Sequence, residues 1–256
     1  MRLVLLGDPV AHSRSPAILR AALAAAGIEG SYEARRVDAT GVYRACAEIR
    51  SGSLRGANVT MPHKRVAAAA ADRLTATAGR CGAVNTLVGE AGEVVGENTD
   101  AGGLLLARER AGILPGLPVL LLGGGGAAAA ALVAFAGSDL AVATRRAGAG
   151  VALAASLGVV ASGLAWGRPR PGAVLVNATP LGMHGEPLPP GLVEEAVGLI
   201  DLPYGPDPTP ATVAARGRGL PVADGLDHLV AQAALSFELW TGVEAPLAVM
   251  GAVARR

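Results

Sequence analysis

At 256 residues the chain is long enough for one large domain or two ordinary ones, each with its own core. A formal net charge of +1 and an aromatic content of 3% argue against nucleic-acid binding, which draws on basic surface and stacking rings. Hydrophobic content of 51% raises the question of a membrane span, but the uncharged stretches 111–138 and 147–167 are interrupted by Pro115, Pro118, four consecutive glycines, Gly148, Gly150, Gly158 and Gly163, which would leave backbone groups unpaired in lipid.

Arg2 to Leu6 reads as a buried strand ended by the turn Gly7-Asp8-Pro9, too short an apolar run for the core of a signal peptide. A polar loop leads to Pro16 in the first turn of a helix with Ser15 as its cap, and Ile18, Leu19, Ala22 and Leu23 mark the buried face until Gly27. Ser31 to Val37 alternates as a strand, Thr40 to Arg50 has helical spacing, and Gly56 to Thr60 is a third strand, giving a βαβαβ unit with mostly parallel pairing. Pro62 opens a helix that runs through the alanines after Lys64, and a hairpin of Val84–Gly89 and Glu93–Gly96 turns at Gly92. Thr99 to Gly112 is a linking helix capped by Thr99 or Asn98. Leu117 to Leu122 then begins a second βαβ domain, with a helix to about Gly137 and further strands at Leu140–Thr144, Val174–Asn177 and Leu199–Leu202. Two helices, Leu226–Trp240 and Pro246–Arg255, end the chain. The expected fold is therefore α/β, with domains at 1–98 and 99–223 and final helices at 224–256 whose docking periodicity does not reveal.

Of 22 basic residues, Lys64 is the only lysine. Surface charge has been given to arginine, so a lone lysine marks a position needing an ammonium able to exchange a proton. Scarce amides fall nearby in the chain: Asn58, Asn85, Asn98 and Asn177 are the only asparagines and Gln232 the only glutamine. Asp100 at the start of the linking helix is a candidate to orient the lysine, and Ser13 and Ser15 offer two hydroxyls for a small anion. Cys46 and Cys81 stand apart with no Cys-x-x-Cys, and the four histidines lack ligand spacing, so no disulfide framework and no metal site are expected, which fits a reducing cytoplasm.

Gly123-x-Gly125-x-x-Ala128, between a strand and a helix, matches the dinucleotide fingerprint, in which glycines let backbone N–H groups approach a pyrophosphate. About 20 positions on, where a carboxylate would hold the ribose of NAD, stand Thr144-Arg145-Arg146, and two guanidiniums select the 2′-phosphate of NADP. A dinucleotide domain joined to a domain with a lone lysine and an acid suggests hydride transfer coupled to proton transfer.

These residues resemble the shikimate dehydrogenases, in Ser13-x-Ser15-Pro16, Asn58-Val59-Thr60-x-Pro62-x-Lys64, Gly82-Ala83-Val84-Asn85-Thr86, Asn98-Thr99-Asp100, the glycine loop, Asn177-Ala178-Thr179-Pro180-x-Gly182-Met183, Asp201-x-x-Tyr204 and Gly225-Leu226 leading to Gln232 and Trp240-Thr241-Gly242. The resemblance implies two α/β domains with an active-site cleft between them and reversible NADP-dependent reduction of 3-dehydroshikimate to shikimate. It implies Lys64 and Asp100 as the catalytic pair, with Ser13, Ser15, Thr60, Asn85, Tyr204 and Gln232 on the substrate. It also implies a cofactor site of Gly123, Gly124, Gly125, Gly126, Ala127, Thr144, Arg145, Arg146, Thr179, Met183, Leu202 and Gly225, and final helices that return to the substrate domain. A small-molecule substrate is the expected partner, in a monomer or homodimer that binds neither nucleic acid nor membrane. The chain departs from the family pattern at the four-glycine run and at Thr144-Arg145-Arg146. Quinate or aminoshikimate dehydrogenases, and a non-catalytic sensor on the same fold, are the alternatives.

Overall fold

The first apolar run forms β1 (Arg2–Gly7), paired in parallel with β2 (Ser31–Arg36) on one side and β3 (Gly56–Val59) on the other. The crossovers are α1 (Ser15–Ala25) and α2 (Ala39–Arg50). α1 buries Ile18, Leu19, Ala22 and Leu23 along one stripe. Ser15 is not its cap: Arg14 holds that position without a side-chain cap bond, and Ser15 is the first helical residue. α2 begins at Asp38, whose carboxylate accepts from the Gly41 N–H at 2.8 Å.

The alanine run after Lys64 gives only the short α3 (Lys64–Ala70), because Ala71 is extended and Asp72 leaves the helix to accept from the Val94 N–H and pair with Arg50. There follow β4 (Arg73–Leu74), α4 (Ala76–Cys81) with Thr75 as cap, β5 (Thr86–Glu90) and β6 (Glu93–Glu97). The β5–β6 hairpin is antiparallel and turns through Ala91 and Gly92, both with positive φ (50° and 86°), as a two-residue turn with the right twist requires. The first sheet has the order β2-β1-β3-β5-β6-β4.

α5 (Thr99–Arg110) leads into β7 (Val119–Leu122), α6 (Gly126–Ala134), β8 (Leu140–Ala143), α7 (Ala149–Ser156), β9 (Ser162–Leu164), β10 (Val174–Asn177), β11 (Gly198–Asp201), α8 (Pro210–Gly217) and β12 (Val222–Ala223). These strands pair in parallel in the order β12-β11-β10-β7-β8-β9, which is the doubly wound dinucleotide topology with the strand order reversing at β7. β7, β8, β10 and β11 are buried at every position, as strands covered on both faces must be. The chain ends in α9 (Gly225–Thr241) and α10 (Leu247–Ala254).

The structure, a computed structural model, describes residues 1–256 and divides into two units, residues 1–103 with 229–256 and residues 104–228. The chain passes between them within α5 and α9. In the first unit Phe237, Trp240 and Met250 of the last helices share a core with Leu3, Leu5, Ile18 and Leu19. Trp240 donates its indole N–H to the Leu87 carbonyl at 3.0 Å. Gly56 is what lets it in, since a Cβ there would lie 2.2 Å from the Trp240 Nε1. The second core joins Leu120, Leu122, Ala141, Leu175 and Leu199 to Leu192 and Ala215. No helix is long and apolar enough to cross a membrane.

Candidate active site

In the first unit the site residues stand where β1 and β3 end. The Thr60 N–H donates to Leu6 O at 2.8 Å and the Asp8 N–H to Met61 O at 2.9 Å, which ties the loop after β1 to the segment before Lys64. The approach is so close that a Cβ on Gly7 would lie 2.3 Å from the Thr60 Cγ2. On the β1–α1 loop the Ser15 N–H donates to the Ser13 hydroxyl at 3.3 Å, and between the two serines Arg14 donates to the Ala254 carbonyl at 2.5 Å. The hydroxyl of Ser15, a buried residue, caps no helix end.

Lys64, first residue of α3, donates from Nζ to Asp100 Oδ2 at 2.6 Å; the side chains are 28% and 13% exposed, so the pair is sheltered yet reachable. Asp100 sits in the first turn of α5, where the helix dipole favours a carboxylate, and the Asn98 carboxamide caps that helix by accepting from the Ala101 N–H. Asn85 donates to the other oxygen, Asp100 Oδ1, at 2.9 Å and lies 3.4 Å from Gln232 Oε1. Lys64, Asp100, Asn85 and Gln232, far apart in the chain, are thus joined by direct contacts. Both oxygens of Asp100 are used, and the lysine ammonium keeps donors for a ligand oxygen.

Beneath this pair lies a buried polar layer that sequence reasoning missed: Tyr32, Asn58, Thr86, Thr99 and Ser236 are hydrogen-bonded to one another and to Asn85. The scarcity of asparagine pointed at Asn58 and Asn85, but nothing in the sequence marks Ser236, one residue of an apolar helix. The two cysteine thiols take no part: both are buried and pushed up to about 11 by burial.

In the second unit the cofactor candidates cluster at the carboxyl ends of β7, β8, β10 and β11, the edge where open α/β sheets bind ligands. Gly123 has φ of 124° and packs so closely on the loop after β10 that a Cβ would lie 2.6 Å from the Ala178 carbonyl. Gly125 and Gly126 have open space above them, Gly124 to Ala127 are exposed, and α6 starts at Gly126 with its first N–H groups free of side-chain caps. Thr144 donates to the Arg146 carbonyl at 2.7 Å and accepts from the Gly150 N–H, closing a turn that leaves Arg145 and Arg146 exposed and without a carboxylate partner. Asp139, at the other end of β8, pairs with Arg170 at 2.5 Å. An open glycine loop at a helix start, and two unpaired guanidiniums where a ribose-binding acid would stand, fit a dinucleotide carrying a 2′-phosphate.

Thr179 and Met183 lie on the loop after β10, where Thr179 donates to the Asn177 carboxamide. Leu202 and Tyr204 lie on the loop after β11, and Gly225 opens α9 against that loop, since a Cβ would lie 2.5 Å from the Leu202 carbonyl. Tyr204 therefore belongs to the second unit, while the other substrate candidates belong to the first.

A doubly wound dinucleotide domain carried with a sheltered lysine–aspartate ion pair defines a nicotinamide-dependent oxidoreductase. The shikimate dehydrogenase substrate-binding domain matches residues 5–87, and the shikimate 5′-dehydrogenase C-terminal domain matches residues 225–255. The chain is 40% identical to a shikimate dehydrogenase (NADP(+)) of Thermus thermophilus, covering 100% of this chain and 98% of that one, and 40% identical to that of Moorella thermoacetica, covering 98% and 91%. Among solved structures, a shikimate 5-dehydrogenase of Thermus thermophilus in complex with NADP(H) and shikimate superposes with a TM-score of 0.90 at 38% identity, covering 100% of this chain and 99% of that one. The chain belongs to the shikimate dehydrogenase family.

Proposed function

We propose that this protein catalyses the reversible NADPH-dependent reduction of 3-dehydroshikimate to shikimate, with Lys64 transferring the proton and Asp100 orienting it. The observation that carries the reading is the 2.6 Å contact between Lys64 Nζ and Asp100 Oδ2, with the second carboxylate oxygen held by Asn85. When bound, NADPH supplies the hydride that reduces the carbonyl carbon. Lys64 gives its proton to the carbonyl oxygen as that oxygen gains charge, so ketone, hydride and proton sum to the secondary alcohol, and in reverse the amine takes the proton back. Asp100 holds the ammonium in line and accepts a hydrogen bond from the neighbouring ring hydroxyl. Ser13 and Ser15 bind the substrate carboxylate, while Thr60, Asn85, Tyr204 and Gln232 hold the ring hydroxyls. Gly123 to Ala127 cradle the pyrophosphate, Arg145 and Arg146 the 2′-phosphate, and Thr144, Thr179, Met183, Leu202 and Gly225 line the remainder.

The test is a spectrophotometric assay of shikimate and quinate oxidation, each with NADP and with NAD. The highest kcat/KM is expected for shikimate with NADP, because the two serine hydroxyls suit the carboxylate end of shikimate and the arginines suit the phosphate. Comparable or higher efficiency with quinate overturns the substrate assignment.

A further inference from the structure

We propose that Thr86, which has no surface open to solvent or substrate, is a positioning residue for proton transfer. Its hydroxyl would lock the Asn85 carboxamide in the one orientation that presents an N–H to Asp100. The proposal rests on the reading of Lys64 and Asp100 given above.

Thr86 begins β5 and is 0% exposed. Its Oγ1 lies 3.1 Å from Asn85 Oδ1, 3.1 Å from Asn58 Nδ2, 2.9 Å from Ser236 Oγ and 3.2 Å from Thr99 Oγ1. Donor bookkeeping gives these contacts a direction. The Thr99 backbone N–H, 2.7 Å from Asn85, can only donate, so the atom it meets is the carboxamide oxygen. Tyr32 donates to Asn58 Oδ1 at 2.7 Å, which leaves Asn58 Nδ2 to donate towards Ser236, Thr86 and the Asn85 carbonyl. Ser236 spends its own hydrogen on the Gln232 carbonyl of the preceding helical turn, at 3.0 Å. Thr86 receives from Asn58, and of the acceptors within reach of its single hydrogen, Ser236 Oγ, Thr99 Oγ1 and Asn85 Oδ1, we assign it to Asn85 Oδ1 at 3.1 Å. The carboxamide oxygen is then held by Thr99 N–H and Thr86 O–H together. The Asn85 Nδ2 reaches Asp100 Oδ1 at 2.9 Å, Thr99 Oγ1 at 3.0 Å and, less closely, Gln232 Oε1 at 3.4 Å, while Asp100 Oδ2 meets the lysine.

The layer is anchored by five elements: β2 through Tyr32, β3 through Asn58, β5 through Thr86, α5 through Thr99 and α9 through Ser236. A buried network of mutually bonded side chains fixes geometry more tightly than any single bond. Small errors in the placement of a proton donor cost rate rather than affinity. Thr86 lies two bonds away from the reacting groups, and its effect should therefore fall on kcat.

The test pairs Thr86→Val, which keeps the shape and removes the hydroxyl, with Thr86→Ser, which restores it. Shikimate oxidation with NADP is followed together with the melting temperature of each variant. Thr86→Val is expected to lower kcat by about tenfold or more with KM for NADP unchanged, and Thr86→Ser to recover most of that loss. A crystal structure of Thr86→Val should show Asn85 turned, or Lys64 and Asp100 drawn apart beyond hydrogen-bond reach. Wild-type kcat in Thr86→Val overturns the proposal, and so does a Thr86→Ser variant that melts like wild type yet is as slow as Val. If Thr86→Val does not fold, Ser236→Ala removes the hydroxyl 2.9 Å away, and a kcat loss of about threefold supports the proposal where an unchanged kcat overturns it. Should the wild-type protein fail to oxidise shikimate at all, the assigned reaction falls, while the position of Asn85 in the Thr86→Val crystal structure still decides the inference about positioning.

Discussion

An ammonium can surrender a proton near neutrality and a guanidinium cannot, so Lys64→Arg separates proton transfer from charge. Lys64→Arg is expected to lose nearly as much kcat as Lys64→Ala, on the order of a hundredfold or more. Substrate binding, measured separately, should suffer less in the arginine variant, which can still donate to a ligand oxygen. An arginine variant that retains most of the wild-type kcat would make Lys64 an electrostatic anchor and require another proton donor. Asp201 is a fully buried carboxylate. Asp201, at the end of β11, is raised above the ordinary carboxylate range by burial, against the opposing pull of hydrogen bonds from Thr209, Asn177 and Thr212. Its folded pKa stands above its unfolded one. Its stabilising contribution is thus fully present below the unfolded value, about 3.9, and is lost as pH rises through the folded pKa. Asp201→Asn cannot titrate, so the melting temperature of wild type relative to this variant should fall as pH rises above about 4, and a flat or rising difference would refute the sign. At this scale the sequence was informative where a residue type was scarce: Lys64 and Asn85 stood out by count. Thr86 and Ser236 did not, because their role comes from meeting Asn58 from separate elements and no local pattern records that meeting.

The turn after β8 shows how an element converts a sequence pattern into selectivity. β8 is four buried apolar residues, the first non-core position after it is Thr144, and the Thr144 hydroxyl closes the turn so that Arg145 and Arg146 project outward. Removing one charge-assisted contact to a 2′-phosphate should weaken NADP by about tenfold and leave NAD nearly unchanged. Dissociation constants for both cofactors with Arg145→Ala check this, and equal weakening of the two would show that the arginine does not read the phosphate. Strongly patterned elements such as β7, α2 and α9 were legible because a buried strand must be apolar throughout and a surface helix must keep one apolar stripe. β4, β9 and β12, of two or three residues each, were not, since pairing with a neighbouring strand makes them and their own composition does not. The alanine run after Lys64 was legible as helix up to Ala70, where the bonds of Asp72 to Val94 and Arg50 end it, but the helix starts at Lys64 and not at Pro62, which lies in a turn.

Two sheets with separate cores give the whole molecule two places in which local opening can be suppressed. A ligand that binds only the folded form stabilises it by about 2.7 kcal/mol at a hundred times its dissociation constant, and this protection falls first on the segments it touches. Periodicity alone could not say where α9 and α10 dock. That depended on Trp240 entering under Gly56, a contact between residues far apart in the chain that neither local sequence displays. With that docking in place, Gln232 and Ser236 belong to the first unit beside Asn85, and a clear division of ligand effects follows. Amide hydrogen exchange with NADP alone is expected to slow at residues 123–127 and 144–146 and at the loop after β10. Exchange with shikimate alone should slow at residues 13–15, 60–64, 85–100 and 229–236, with one segment of the second unit, the loop carrying Tyr204, joining them. Protection of the glycine loop by shikimate as strong as that by NADP would break the division of roles between the units. Failure of shikimate to protect the Tyr204 loop would remove that tyrosine from the substrate site and leave the ring hydroxyls to Thr60, Asn85 and Gln232.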